Sequence, residues 1–164
     1  MGKHEQKDQD MELLKEYLGQ YRRAKRRQRR LEQRLMEIRE EMNHPIKAVN
    51  YKPINTPTNQ IGDGAASFVF RTSDCELRIY EQQTKAEKDL LKIMDIFDYL
   101  DANSDERNAL ELYYIDGLKW ERVADEIPCS RSQVFNLQEA GLKKLLSFKR
   151  VQGILKKYEA EKMA

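Results

Sequence analysis

A run of side chains between positions 131 and 136 contains the residue types that recognise the edges of DNA bases. Its candidate members are Arg131, Ser132, Gln133, Phe135 and Asn136. An Arg side chain can donate two hydrogen bonds to guanine, an Asn or Gln amide can form two with adenine, and an apolar ring can contact the methyl group of thymine. Phe135 has a second interpretation, because the same ring could pack on a neighbouring chain. On one exposed helix face, this set would suit sequence-specific contacts in the major groove.

The residues on either side of this run predict the helices that would position it. Ser104 is a suitable N-cap for a first helix, which the pair Asp116-Gly117 would end. A short second helix is predicted over about 119–126, a turn over 128–130, and a third helix from Ser130 to about 148. Their inward-facing residues are apolar or small: Trp120, Val123, Ala124, Val134, Leu137, Gly141, Leu142 and Leu145. Two helices that cross at a small residue after a short turn, with a polar outer face on the second, are typical of a helix-turn-helix.

Residues 105–146 resemble region four of bacterial sigma factors, the part that reads the −35 promoter element. The resemblance is carried by the start Asp105-Glu106-Arg107, by LELYYIDGLKWERVADEI at 110–127 and by SRSQVFNLQEAGLKKL at 130–145, without a gap through the third helix. It implies that Arg131, Ser132 and Asn136 occupy base-reading positions. Sigma factors usually carry an acid where Ser132 stands and Gln where Asn136 stands. The resemblance therefore implies the mode of docking rather than the target sequence.

The remainder of the chain is predicted to form two long helices with coiled-coil-like patterning. Apolar residues recur in heptads in both: Leu14, Tyr17, Tyr21, Ala24, Leu31, Leu35, Ile38 and Met42 in the first, then Ala86, Leu90, Ile93, Phe97 and Leu100 in the second. Such stripes fit a helical hairpin within one chain or a coiled coil between two chains. Asp10 is the expected N-cap of the first helix. Residues 65–70 could form a short strand or dock on a helix.

The resulting domain plan has six parts. These are a disordered tail over 1–9, a basic helix over 10–42, a flexible linker over 43–73, a second long helix over 74–103, the helix-turn-helix domain over 104–150 and a basic tail over 151–164. The linker is expected because three prolines, two glycines and many Asn and Thr residues fall within it. This plan places the DNA-binding part in a separately folded C-terminal domain.

Charge is distributed unevenly, although the formal net charge is only +2. Residues 20–30 carry seven Lys or Arg and no acid, whereas residues 72–111 carry eleven Asp or Glu against five Lys or Arg. The basic block could contact DNA phosphates, or it could form a solvated face paired with the acidic helix. The candidate phosphate contacts are Arg22, Arg23, Arg26, Arg27, Arg29, Arg30, Lys119, Arg122, Lys143 and Lys144.

The overall layout resembles small phage regulators of the ArpU/RinA type, which control late-gene transcription in phages of Gram-positive bacteria. The resemblance implies a sequence-specific transcription regulator of phage or prophage origin, located in the cytoplasm of the bacterial host cell. Double-stranded DNA is then the expected partner, with RNA polymerase as a further candidate. A homodimer is expected because operators read by helix-turn-helix proteins tend to be two-fold. Two alternatives remain: a DNA-packaging recognition protein like a small terminase subunit, and a sigma-mimicking protein that binds RNA polymerase.

Composition favours an all-α protein without catalytic activity. Charged residues make up 35% of the chain, and the mean hydropathy is −0.85. The sequence has no P-loop, GxSxG or HExxH motif. Its only histidines are His4 and His44, and no CxxC is present, so neither a cofactor nor a metal is expected. Cys75 and Cys129 are expected to be free thiols, and no apolar run approaches the roughly 20 residues needed to span a membrane.

Overall fold

The computed structural model describes residues 2–43 and 59–164, with side chains from Gly64 onward in the second range. Within these ranges the chain forms helices and no strands, which confirms the all-α prediction. The helices are α1 Lys3–Leu18, α2 Gln20–Asn43, α3 Asn59–Phe97, α4 Asp105–Tyr114, α5 Trp120–Glu126, α6 Arg131–Leu146 and α7 Lys149–Met163. None of these helices is both long enough and apolar enough to cross a lipid bilayer.

Helix α1 begins earlier than predicted, so the expected disordered tail over 1–9 is wrong. The helix starts at Lys3, and Asp10, the predicted N-cap, lies within it. No Pro or Gly interrupts residues 3–18, and the Gln6 side chain donates to Asp10 Oδ1 across one turn, at 3.2 Å. A polar segment can remain helical when nothing in it breaks the backbone hydrogen bonding.

Helix α3 is much longer than predicted. It begins at Asn59, so residues 59–73 of the expected linker are helical, and residues 65–70 are part of this helix and form no strand. The remainder of that linker, residues 44–58, lies outside the described residues. The reason for the early start is visible in the pattern, because half-buried Phe68 and Thr72 precede buried Cys75 at intervals of four and three residues. The apolar stripe thus continues toward the N-terminus of α3. At its other end α3 stops at Phe97, short of the predicted 103.

The described residues form two compact units. Unit 1 comprises Met1–Arg23 with Ala86–Ala164, and unit 2 comprises Ala24–Lys85. The predicted boundary at residue 104 lies inside unit 1, because α1 packs on the C-terminal helices. The main core of unit 1 joins residues from both ends of the sequence: Leu14, Tyr17, Leu18, Ile93, Ile96, Phe97, Leu100, Leu110, Tyr114, Leu142, Leu145, Val151 and Leu155. The N-terminal helix is therefore part of the C-terminal domain.

Helix α7 also belongs to this core, although a basic tail was predicted over 151–164. Val151 is fully buried, and the rings of Tyr158 and Tyr17 meet edge to face with centroids 5.3 Å apart. Lys162 Nζ lies 2.6 Å from Glu16 Oε1. Because Lys162 donates to that carboxylate, the pKa of Glu16 falls below its ordinary value. The apolar positions on one side of this segment make it a packed helix, while its other side stays basic and exposed.

Within unit 2, α2 and α3 pair in antiparallel orientation. Cys75 Sγ donates to Leu31 O at 3.3 Å, whereas Glu41, ten residues further along α2, pairs with Arg71, four residues earlier on α3. Arg39 and Glu76 form another ion pair between the two helices, at 3.0 Å. The buried or half-buried stripes that meet in this unit are Ala24, Gln28, Leu31, Leu35 and Ile38 on α2, with Phe68, Thr72, Cys75, Ile79 and Gln82 on α3. The stripe predicted for the second long helix, Ala86 to Leu100, lies in unit 1, so α2 pairs here with an earlier part of α3.

Substitutions at two helical glycines, Gly141 and Gly153, are expected to change the free energy of unfolding in opposite directions. A Cβ at Gly141 would lie 2.9 Å from buried Leu110 Cδ1 and 3.3 Å from Glu106 Cβ, whereas a Cβ at Gly153 would meet nothing within 4 Å. We expect Gly141→Val to lower the free energy of unfolding by about 1–3 kcal/mol through overpacking. The matched control Gly153→Ala should raise it by up to about 1 kcal/mol, because Ala favours the helix. Urea unfolding followed by circular dichroism measures both, and an equal loss in the two variants would contradict the close packing of α6 on α4.

Candidate nucleic-acid interface

The first turn of α6 is fixed by a reciprocal cap. Ser130 Oγ accepts a hydrogen bond from the backbone N–H of Gln133 at 3.2 Å, and Gln133 Oε1 accepts one from the backbone N–H of Ser130 at 2.9 Å. Such a capping box satisfies two otherwise unpaired donors and sets where the helix begins. Ser130 was predicted as this N-cap, and the prediction is confirmed. A fixed start determines which side chains of the next two turns face outward.

The cap changes the role expected for Gln133. A two-bond contact with adenine requires both the oxygen and the nitrogen of a side-chain amide. The Gln133 oxygen already accepts from the backbone, so that contact would require the cap to open. Gln133 is therefore a positioning residue for the helix start, and its base-reading role remains a prediction. The capping role of Gln133 could have been predicted from the sequence, because Ser followed three positions later by Gln is the capping-box pattern.

The other four candidates lie together on the outer side of α6. Arg131, Ser132, Phe135 and Asn136 are all exposed, while Val134 is buried and Leu137 is half-buried. Toward the C-terminus of the same helix, Gly141, Leu142 and Leu145 are buried. The helix thus has one side packed in unit 1 and one polar side open at its N-terminal end. This separation matches the expected division between interior and outer face.

Phe135 borders a groove beside the polar face. The groove has a volume of about 970 Å³ and is lined by residues of α1, α6 and α7, among them Met11, Phe135, Leu142 and Gln152. Phe135 is 57% exposed, so its ring is the largest apolar surface that α6 offers to a partner. The two interpretations of this ring, contact with a thymine methyl group and contact with another protein, both fit its position.

Helix α5 packs across α6 around small side chains. Ala109 of α4, Val123 and Ala124 of α5 and Val134 of α6 form one buried cluster. The short connection over 127–130 leads directly from α5 into the N-cap of α6. Because Ala124 has only a methyl group, it lets the two helices come close at this point. Lys119, which precedes α5, and Arg122 on α5 are exposed, as phosphate contacts require.

An unforeseen clamp holds the segment that leads into α5. Arg22 Nη2 donates to Gly117 O at 3.2 Å, and its guanidinium lies 4.2 Å from the centroid of the Tyr113 ring. On its other side the Tyr113 ring stacks on Trp120, at 4.0 Å and 8°. Gly117 has φ +74°, a left-handed conformation that favours glycine. Arg22 therefore positions α5, and its phosphate contact remains a prediction.

The remaining residues predicted to contact phosphates differ in whether they are exposed or paired within the protein. Arg23 donates to Glu16 O at 2.8 Å. Lys143 pairs with Glu139 at 3.2 Å, and Lys144 lies 3.7 Å from Glu106, so both are partly neutralised. Arg26, Arg27, Arg29 and Arg30 are exposed on α2 and belong to unit 2. The structure thus keeps Lys119 and Arg122 beside α6 as exposed cations, while Arg23 serves an internal contact.

A second arginine, Arg107, fixes α4 to the end of α3. It donates to Asp98 Oδ1 at 2.9 Å, to Glu111 Oε1 at 2.8 Å and to Leu100 O at 3.1 Å. These bonds raise the pKa of Arg107 above its ordinary value, chiefly through Glu111, so the charge is permanent. The neighbouring N-cap Ser104, which accepts from the Arg107 backbone N–H, confirms the predicted start of α4.

The contacts of Arg22 with Gly117 O and the Tyr113 ring, here called the Arg22 clamp, are expected to stabilise the folded protein. Arg22→Ala should lower the free energy of unfolding by about 1–2 kcal/mol, because it removes a hydrogen bond and a cation–π contact together. Arg22→Lys should recover little, since an ammonium group lacks the planar shape that stacks on Tyr113. Arg26→Ala, which removes an exposed arginine from the same helix, is the control and should change stability by less than about 0.5 kcal/mol. Equal stability of the Arg22 and Arg26 variants in thermal unfolding would show that the clamp is not formed.

Comparison of the chain with models of protein families, with curated proteins and with solved structures finds no match. The main functional feature of unit 1 is the polar outer side of the first two turns of α6, a capped helix whose opposite side is buried.

Proposed function

We propose that this chain is a sequence-specific DNA-binding transcription regulator in which α5 and α6 form a helix-turn-helix. One observation carries the proposal: Arg131, Ser132 and Asn136 are exposed together on the first two turns of α6, whose other side is buried. A recognition helix needs this arrangement, because its N-terminal side chains reach base edges in the major groove while its opposite side holds it on the domain.

Three features of the surroundings support the docking mode. The N-terminal end of α6 carries partial positive charge from its unpaired N–H groups, which favours approach to DNA. Lys119 and Arg122 place exposed cations on the neighbouring helix, where phosphate contacts would fix the register. Arg131 itself is exposed and can reach both acceptors of a guanine. Contacts from α5 would thus orient the protein, and contacts from α6 would select the sequence.

The biological setting follows from the resemblance to sigma factor region four and to regulators of the ArpU/RinA type. We propose control of phage or prophage late genes in the cytoplasm of a bacterial host, with the exposed arginines of α2 as further phosphate contacts. Pairing of α2 with α3 in a coiled-coil-like hairpin would display those arginines on its outer side.

A second candidate is a sigma-mimicking protein that binds RNA polymerase without reading DNA. The exposed ring of Phe135 favours it, because large aromatic side chains often anchor protein interfaces. The two candidates differ in one measurement. A DNA reader gives a footprint with the chain alone, whereas a sigma mimic is retained by immobilised polymerase and protects no sequence.

The base-reading role of α6 is tested on DNA selected from random duplexes with the full chain. Arg131→Ala should lose about 1–3 kcal/mol of binding to the selected sequence, because a two-bond contact with guanine is lost. Binding to unrelated DNA should change far less. Arg150→Ala, which removes an exposed arginine from α7, is the matched control and should bind the selected sequence as the unchanged protein does. Titration by fluorescence anisotropy measures all three proteins, and wild-type affinity of Arg131→Ala would exclude α6 as the reader.

If the arginines of α2 contact DNA phosphates, they should contribute to the salt dependence of DNA binding. Replacing Arg26, Arg27, Arg29 and Arg30 by Gln should weaken binding to every DNA sequence alike. Each lost phosphate contact should flatten the dependence of log affinity on log salt by about one unit. Arg39→Gln is the control, because Arg39 is held by Glu76 in unit 2. An unchanged salt slope accompanied by a lower melting temperature would assign these arginines to helix stability.

A further inference from the structure

Helix α3 has two uncharged faces within unit 2. One face packs on α2, as described above. The opposite face, here called the outer face, consists of Ala66, Val69, Phe70, Ser73, Leu77, Tyr80 and Thr84. These positions recur at intervals of three and four residues and therefore share one side of a helix. No charged residue interrupts the outer face over five turns.

The outer face is unusually exposed for its composition. Phe70 is 72% exposed, Tyr80 66%, Val69 63% and Leu77 56%. A helix that packs by one stripe normally presents charged residues on its other side. Helix α2 follows this rule, since its outer side carries arginines. Exposed apolar side chains that occur singly need no explanation, but a continuous stripe of four large ones marks an interaction site.

We infer that the outer face binds the outer face of a second copy of this chain, with the two α3 helices antiparallel. A two-fold pair uses the same surface on both partners. In the antiparallel register, Phe70 of one chain lies opposite the partner's Tyr80, and Leu77 opposite the partner's Ser73. Large residues then face small or aromatic ones, so the two stripes can interlock.

The area of the outer face reaches the lower limit for a specific pair. Four large side chains that are each more than half exposed offer roughly 400–500 Å² per copy. With the smaller residues between them, two copies would bury roughly 1,000 Å², which reaches the lower limit of specific interfaces. A nucleic acid is a poor occupant, because the face carries no cation to meet its phosphates.

The charged residues of α3 flank the outer face. Asp74 and Glu81 lie along one edge, where Arg78 pairs with Asp74 at 2.9 Å and limits repulsion between two copies of Asp74. Arg71 pairs with Glu41 of α2 at 3.4 Å, so it lies toward the side that packs on α2. On the other edge Glu76 is paired with Arg39, which limits repulsion between two copies of Glu76.

The mass of the full chain in solution, measured without DNA by light scattering, tests this inference independently of the proposed function. The unchanged protein should give 39 kDa, twice the 19.5 kDa of one chain. Leu77→Glu should weaken self-association at least about 100-fold, because it buries two like charges near the two-fold axis. Met36→Glu is the matched control, since Met36 on α2 is also 56% exposed. It should remain dimeric, and circular dichroism should show equal helix content in all three.

A monomeric wild-type chain at high concentration, or a Leu77→Glu variant that remains dimeric, would overturn the inference. A loss of DNA binding with dimerisation intact would count against the proposed function alone.

Discussion

The packing of α6 is the constraint on which the rest of unit 1 depends. This helix contacts α1, α4, α5 and α7, and each contact uses a different part of its surface. Gly141 allows α4 to come close, Val134 meets α5, and Leu142 and Leu145 join the main core. The outer side of its first two turns remains exposed, as do Glu139, Lys143 and Lys144 further along. The candidate reading surface is thus one portion of α6 that the fold leaves uncovered, and its orientation is set by four neighbours.

The parts of the fold that depend on local signals could be predicted from the sequence. Ser104 and Ser130 begin their helices as expected, and Gly117 lies where α4 has ended, because capping and left-handed backbone are decided by a few adjacent residues. The outward position of Arg131, Ser132, Phe135 and Asn136 followed from helical spacing alone. Their contact with bases remains a prediction, since exposure is necessary for that contact and does not establish it.

Features that depend on contacts distant in sequence could not be predicted in the same way. The stripe of Leu14, Tyr17 and Leu18 indicates a buried face without specifying its partner, so α1 was assigned to a coiled region and not to the C-terminal core. Arg22 looked like a member of a basic run, because its acceptor, Gly117 O, lies 95 positions away. The long α3 was missed because Gly and Asn residues suggested a linker, whereas pairing with α2 stabilises the helix.

The packing of α1 on α7 also affects how the chain folds during synthesis. Tyr17 emerges from the ribosome about 140 residues before Tyr158, its ring partner, which takes on the order of ten seconds at typical translation rates. Until Ile93 and the core residues after it have been synthesised, the apolar side of α1 lacks the native surface that covers it in the folded protein. Unit 2, whose contacts lie within residues 24–85, can form meanwhile. Folding of unit 1 therefore has to wait until its C-terminal helices have been synthesised, and a chain truncated before Val151 would leave part of α1 exposed to chaperones and proteases.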